Sequence, residues 1–520
     1  MSGRTLLVLW AVSLCILGAS AALFTQPGYT DAYYYYHVAA NLAAGRGLVE
    51  EFIWNYLAPV GGIPHPSNLY WMPLTSLVSA PVMAFFGSSF RAAQAPLVII
   101  ASLSPVAVTL VVWDLWRDRW LALASAMLTL FGGFYFLYWT VIDSFGLFAL
   151  AVTVGLWAQA RYLWQSQSEA GHMPSTTRFL PWLLGLVAGL TTAAAHLARA
   201  DGFLLLLVAL AIFLLLRSPG WAWACLAAVV GYILVMGPWF WRMWSLTGEL
   251  AAPGAMTTLF LQEYNDLFSY NQDHTLASYL AWGLGPILLS KLKALGENLV
   301  VLYGAGLMLL PIGLVGAWRL RRDRRLLPFF VYAALLYLLL TLVFTFPGAR
   351  GSMRHSGVAL LPWTAVLAVQ GIRVTVSWAA QRLPHWNVQR AQIGFTLVAM
   401  SASIALSLVI LLYNAKVWDQ EYDYYQAVAQ WLDDQGGVNA PIMVTDPPAF
   451  YYASGRGAVV TPSNGIDAMI AVADRYRVDY IALEAAHAAS LHPLYLGDES
   501  SPRLEPLEWI GATHMFRVLR

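Results

Sequence analysis

Tyr29-Thr30-Asp31-Ala32-Tyr33-Tyr34-Tyr35-Tyr36-His37 is the stretch on which the reading of this chain turns. It follows an apolar run, Leu6 to Phe24, close to the roughly 20 residues that a membrane-spanning helix requires. A carboxylate at the mouth of a span, ringed by four tyrosines, points to a site that faces both lipid and water. The same tyrosines also fit an ordinary aromatic belt at headgroup depth. Beyond them a long loop is expected, carrying Asn41, Gly45-Arg46-Gly47 and Pro64-His65-Pro66.

Composition sets the solvent. Hydrophobic residues make up 59% of the chain and charged ones 11%, with a mean hydropathy of +0.60, against roughly 25% charged residues in a soluble domain. The chain reads as a polytopic α-helical membrane protein. Its net charge of +1 gives no sign of a nucleic-acid partner, and no basic run is interleaved with aromatics as in single-strand binders. Cys15 and Cys225 both lie in apolar segments, so neither a disulfide framework nor a cysteine zinc site is available. Residues 1–22, with Arg4, an apolar run and Ala19-Ser20-Ala21, also fit a signal peptide. Their length favours a first span.

Further runs that span or nearly span lie at 92–113, 120–140, 145–162, 179–197, 202–216, 221–240, 297–317, 327–346, 355–375 and 392–413, making eleven spans with the first. Residues 70–86 are shorter and interrupted by Pro73 and Pro81. Basic residues in short loops mark the cytoplasmic side, while acids count for little. If 70–86 does not cross, fourteen arginines, among them Arg178 and the cluster Arg319 to Arg325, fall inside, against eight basic residues outside in longer loops. If it crosses, that cluster moves outside. The expected topology is therefore eleven spans, a re-entrant or interfacial helix at 70–86, and an inside N-terminus. Asp31, His65, Asp143, Asp201 and Arg350/Arg354 then share the external face.

Two external loops, 25–91 and 241–296, belong to the membrane domain, residues 1–413. The second is too long for a simple turn and is expected to hold surface helices that cover a site. Residues 414–520 read as a small soluble extracytoplasmic α/β domain: a helix near 420–434, strands at 442–445, 458–461 and 478–483, a helix at 466–475, then a helix and two short strands ending at Val518. It holds no phosphate-cradling glycine motif, and a packing or recognition role is expected of it.

Acids at membrane level are costly, by roughly 2.5 kcal/mol or more, and occur mainly where water reaches them. Asp31 and Asp143 each end an outward-going span, so one rim receives two carboxylates. One would take a proton from an acceptor hydroxyl while the other orients it or holds a divalent cation, Mg or Mn. Asp143 equally fits a helix cap before Ser144-Phe145-Gly146. Arg350 and Arg354 are the best phosphate ligands, since a planar guanidinium meets phosphate oxygens in pairs; snorkelling towards headgroups is their plainer role. Arg199 and Asp201 also fit a simple pair at a helix turn. His65, held between two prolines, and Tyr34 complete the candidates for substrate contact. No His-x-x-x-His, Gly-x-Ser-x-Gly or nucleotide-binding loop is present.

Taken in order, these pieces resemble the GT-C superfamily of integral-membrane glycosyltransferases, in particular bacterial relatives of the dolichyl-phosphate-mannose protein mannosyltransferases and the lipid A aminoarabinose transferase. The resemblance covers nearly the whole chain: Thr30-Asp31-Ala32-Tyr33-Tyr34, Ala40 to Gly47, His65-Pro66 through Pro73-Leu74 to Phe85-Phe86-Gly87, Arg91, Val141-Ile142-Asp143, Arg199 to Gly202, and Arg354 with Leu361-Pro362. It implies transfer from a polyprenyl-phosphate-linked sugar on the extracytoplasmic side, with Asp31 as catalytic base or acceptor-orienting group, Asp143 its partner and Arg354 on the donor phosphate. Ala32 and Ser67 depart from the protein mannosyltransferase pattern, which leaves open whether the acceptor is a glycolipid, a polysaccharide or a protein. One-step displacement would invert the anomeric carbon. A transporter or flippase and a non-catalytic envelope assembly protein are the competing readings. Internal repeats, expected of many transporters, are not seen.

Overall fold

The computed structural model describes residues 1–58, 60–168, 179–217, 220–304, 309–345, 348–383, 385–436 and 440–520. Arg178 of the charge count, and parts of the expected spans 297–317 and 327–346, lie outside the described residues. Among the described residues, eight helices are long and apolar enough to cross a membrane: Gly3–Ala21 (α1), Phe90–Trp116, Phe145–Gln165, Leu180–Ala198, Trp221–Thr247, Arg324–Leu342, Ser352–Ala380 and Val388–Asp434. The chain is a multi-pass α-helical membrane protein.

None of the other three expected spans falls, among the described residues, on a single helix both long and apolar enough to cross. The run at 120–140 gives Arg119–Leu130, which ends before Gly132-Gly133, where Gly133 takes a positive φ of 61°. The run at 202–216 gives Ala200–Leu216, and that at 297–317 falls on Leu284–Gly304 and Leu310–Leu320. Residues 70–86 form the 13-residue helix Leu74–Phe86 (α3) with Pro81 inside it. At 1.5 Å per residue it extends about 20 Å, short of a bilayer core of about 30 Å.

Packing between spans relies on small residues. Helices Leu180–Ala198 and Trp221–Thr247 meet along Gly185 and Gly189, where an added Cβ would lie 2.2 Å from the Ala224 carbonyl oxygen and 2.1 Å from that of Ala228. This four-residue spacing of small side chains lets backbones approach without lipid-like side chains between them.

The deciding stretch is not a loop. Thr30–Ala43 is a helix (α2) whose first turn holds Asp31, where the helix dipole favours an acid. Ala32, Tyr33, Tyr34 and Tyr35 are buried, so the tyrosines form packing and hydrogen bonds inside the protein rather than a belt in lipid. Tyr33 donates to Gln26 Oε1 at 2.7 Å, and Tyr36 to the Ser88 carbonyl at 2.7 Å.

Among the described residues, strands are confined to the first loop and the C-terminal region. Val49–Glu50 (β1) pairs antiparallel with His65–Pro66 (β3). Phe52–Ile53 (β2) joins a six-stranded sheet with Ile442–Val444 (β4), Ala458–Val460 (β5), Tyr480–Leu483 (β6), Leu504–Ile510 (β7) and Thr513–Val518 (β8), in the order β2-β5-β4-β6-β8-β7. β2, β5, β4 and β6 run parallel, β8 pairs antiparallel with β6, and β7 pairs antiparallel with β8. The first loop thus supplies an edge of the C-terminal sheet, and helix Val388–Asp434 runs from membrane into that region without a break.

The expected 241–296 loop is narrower. Helix Trp221–Thr247 continues past residue 240 and Leu284–Gly304 begins before 297. Short helices fill the interval, among them Pro253–Thr257, Tyr264–Phe268 and Leu276–Ala281. This segment ties the two regions together: the Tyr56 amide donates to the Leu267 carbonyl at 3.1 Å, and the Ser463 amide to that of Phe268 at 3.0 Å.

Candidate active site

Three elements distant in sequence bring titratable side chains to one point. Asp31 stands in the first turn of α2, Asp143 just before helix Phe145–Ser168, and His355 on the short helix Ser352–Ser356. One ligand atom from each lies within 4.8 Å of the other two. His355 Nδ1 is 3.7 Å from Asp31 Oδ2. Asp143 is held in place: Tyr29 donates its hydroxyl to Oδ2, and Ser144 donates both its amide and, at 2.9 Å, its hydroxyl to Oδ1. Burial, and next the Asp143 charge, push Asp31 well above the usual carboxylate range, against Arg199 and Arg354. Asp143 is raised by burial too, while the Tyr29 and Ser144 donors pull it back.

The arginines divide. Arg199 Nε pairs with Asp201 Oδ1 at 3.2 Å, and its Nη2 donates to Ser356 Oγ at 3.0 Å, so the turn pair extends to the His355 helix. Arg350 stacks on Tyr264 at 4.5 Å and donates to Asn265 at 3.4 Å. Arg354 donates to the Tyr138 hydroxyl at 2.8 Å and lies over Phe134 at 4.5 Å.

Two cavities open on Asp31. The smaller, about 210 Å³, is walled by Asp31, Tyr35, Arg199, Asp201, Arg350 and His355 with apolar side chains between them. The larger, about 620 Å³, extends from Asp31 under the C-terminal sheet to Glu421, Asp446 and Glu484. Asp31, Trp54, Trp71, Tyr264 and Arg350 line both. Trp54 and Trp71 stack at 3.7 Å, 13° from parallel. Asp446 accepts from the Thr30 hydroxyl and from the Ala449 amide, at 3.1 Å from the latter. Burial raises its carboxyl to about 6 and that of Glu484 to about 7.

Of the residues singled out in the sequence, Asp31, Arg199 and Arg350 line the smaller cavity, and Asp143 stands beside it. Arg354 is turned towards Tyr138 and is not among the lining residues. His65 and Tyr34 are elsewhere. They share a separate space of about 20 Å³ with Glu50, where His65 Nε2 is 3.3 Å from Glu50 Oε1 and the Tyr34 hydroxyl accepts from the Asn68 amide at 2.7 Å. Both are inward-facing in the packed first loop, so they contact neither cavity at Asp31. His355 was not singled out in the sequence. Its only signal was its place after Arg354 in a polar stretch between two apolar runs.

Neither a protein-family model nor a curated protein matches the chain. Solved structures do. ArnT from Cupriavidus metallidurans is 12% identical in its apo state, with a TM-score of 0.60, covering 99% of this chain and 98% of that one. The same protein bound to undecaprenyl phosphate is 13% identical, with a TM-score of 0.57 over the same shares. The oligosaccharyltransferase AglB from Archaeoglobus fulgidus, in complex with an inhibitory peptide and a dolichol-phosphate, is 13% identical with a TM-score of 0.51, covering 92% of this chain and 69% of that one. Likeness over essentially the full length of both chains, at an identity this low, establishes architecture. The chain has the fold of ArnT.

Proposed function

We propose that this protein is a glycosyltransferase that moves a sugar from a polyprenyl-phosphate-linked donor to an acceptor hydroxyl on the extracytoplasmic face of the membrane, with inversion. The observation that carries the reading is the convergence of Asp31, Asp143 and His355 at a cavity that also holds Arg199 and Arg350. The undecaprenyl phosphate of the ArnT complex and the dolichol-phosphate of the AglB complex support a lipid phosphate as the donor's anchor.

In the reaction, the acceptor oxygen attacks the anomeric carbon as the bond from that carbon to the phosphate oxygen breaks. The bonding pair leaves with the phosphate, and the hydroxyl proton passes to the Asp31 carboxylate. Asp143, fixed by Tyr29 and Ser144, holds the site's second negative charge in place. Arg199 and Arg350 neutralise charge developing on the departing phosphate. Two carboxylates and one imidazole are a chemically sound set for a divalent cation, and the imidazole suits Mn better than Mg. Asp31, Asp143 and His355 would hold it, and it would supply further positive charge at the phosphate.

The test is transfer from radiolabelled polyprenyl-phosphate sugars in membranes that express wild type or Asp31→Asn at matched levels. Wild type labels an acceptor, and the variant falls by roughly 10²–10⁴-fold, the contribution of a positioned base. Equal transfer by the two would remove Asp31 from the chemistry. No transfer by wild type with any donor would remove the reading.

A further inference from the structure

The larger cavity differs in charge from the smaller one. The 210 Å³ cavity is balanced, with Asp31 and Asp201 against Arg199 and Arg350. The 620 Å³ cavity has Asp31, Glu421, Asp446 and Glu484 against Arg350, with His487 the other basic side chain among its described lining residues. Aromatic side chains share its lining with the acids: Trp54, Trp71 and Trp418 with Tyr424 and Tyr425. Tyr425 donates to Glu484 at 3.1 Å, and so does the Thr445 amide at 2.9 Å. Asp31 is in its lining, and its walls come from helix Val388–Asp434 and the C-terminal region together with the first loop and the covering segment.

From this geometry we infer that the larger cavity receives the acceptor, and that the acceptor's headgroup is a sugar carrying neither phosphate nor carboxylate. The inference rests on the transferase reading and gives the substrate class for the same site. Aromatic faces stack on the C–H faces of a sugar ring, and carboxylates accept from its hydroxyls. When ionised they repel an anionic headgroup and attract an ammonium substituent; when protonated they still offer hydrogen-bonding oxygens. The donor phosphate, by contrast, has Arg199 available only in the smaller cavity. Two sugars of different charge thus approach Asp31 from two sides, and the lining decides which side each takes.

Glu421 is the residue to change, because it is exposed on the cavity wall and a substitution there does not disturb the core. The full-length protein in nanodiscs is titrated with dodecyl glucoside, dodecyl glucosaminide and dodecyl glucoside 6-phosphate, read by tryptophan fluorescence, and separately with polyprenyl phosphate. Wild type binds the glucoside and glucosaminide and binds the 6-phosphate at least roughly tenfold more weakly, as expected of like charge facing carboxylates. Glu421→Lys weakens the glucosaminide by roughly threefold and strengthens the 6-phosphate by a similar factor, with polyprenyl phosphate binding unchanged. Equal or tighter binding of the 6-phosphate by wild type, or three glycosides indifferent to the substitution, overturns the inference. Failure of the transferase reading shows elsewhere, as absence of polyprenyl phosphate binding by wild type whatever the glycosides do.

Discussion

The two cavities share five side chains and one reactive carboxylate, yet they are built from different parts of the chain and carry different charge. The smaller is made by the membrane helices, the first loop and the covering segment, and its arginines match its acids. The larger is roofed by the C-terminal sheet, and its acids outnumber its one arginine. A transferase that joins two sugars needs this asymmetry. The leaving group is an anion that must be stabilised, whereas the acceptor is a hydroxyl that must be oriented and deprotonated.

The largest expected effect is at the carboxylate both cavities share. Asp31→Asn lowers transfer by roughly 10²–10⁴-fold and leaves binding of polyprenyl phosphate and of dodecyl glucoside in place, as measured by titration. Because burial and Asp143 raise Asp31, the ionised base appears only above the ordinary carboxylate range. The rate in wild type therefore climbs with pH through a higher window than for a free Asp.

Next comes Arg199, which only the smaller cavity holds. Arg199→Lys keeps a charge but loses the paired donors to Asp201 and Ser356. Polyprenyl phosphate binding weakens by roughly tenfold, while glycoside binding stays within error; an equal loss for both ligands would break the comparison.

His355→Ala removes the imidazole from the candidate cation site and keeps both carboxylates. Stimulation of transfer by Mn in chelator-treated membranes falls by roughly 10-fold or more when one ligand is removed. Unchanged stimulation places the cation elsewhere.

The smallest effect is on stability. Glu484 is raised by burial from an ordinary 4.5 to about 7, so the folded state holds its proton more tightly than the unfolded one. Its contribution is complete below about 4.5 and is lost as pH rises towards 7. Glu484→Gln flattens this dependence, and the wild-type Tm, followed by a thermal shift assay, loses roughly 2–4 °C more than the variant across that window.

Much of the architecture was legible because the bilayer imposes it: apolar runs of the right length became helices, and the alternation of short apolar strands with helices in residues 414–520 became the sheet. Asp31 and Asp143 stood out for the same reason, as acids at the ends of apolar runs. The stretch around Asp31 was harder. Four tyrosines in a row carry no helical periodicity by type, and only their burial shows that α2 packs three of them inward. The edge strand Phe52–Ile53 is two residues long, and nothing local marks its partner four hundred residues away. His355 meets Asp31 only through the tertiary fold, and Glu421, Asp446 and Glu484 are spread over a helix and two strand ends, so no spacing rule gathers them. His65 misled because proline on both sides marks a stiff backbone without saying which way the ring points.

The account depends most on where the lipid phosphate sits. A cryo-electron microscopy structure of the protein with polyprenyl phosphate in nanodiscs answers this directly. The account predicts phosphate density in the smaller cavity, within about 3 Å of the Arg199 guanidinium. Phosphate density in the larger cavity, against Glu421, Asp446 or Glu484, would contradict it.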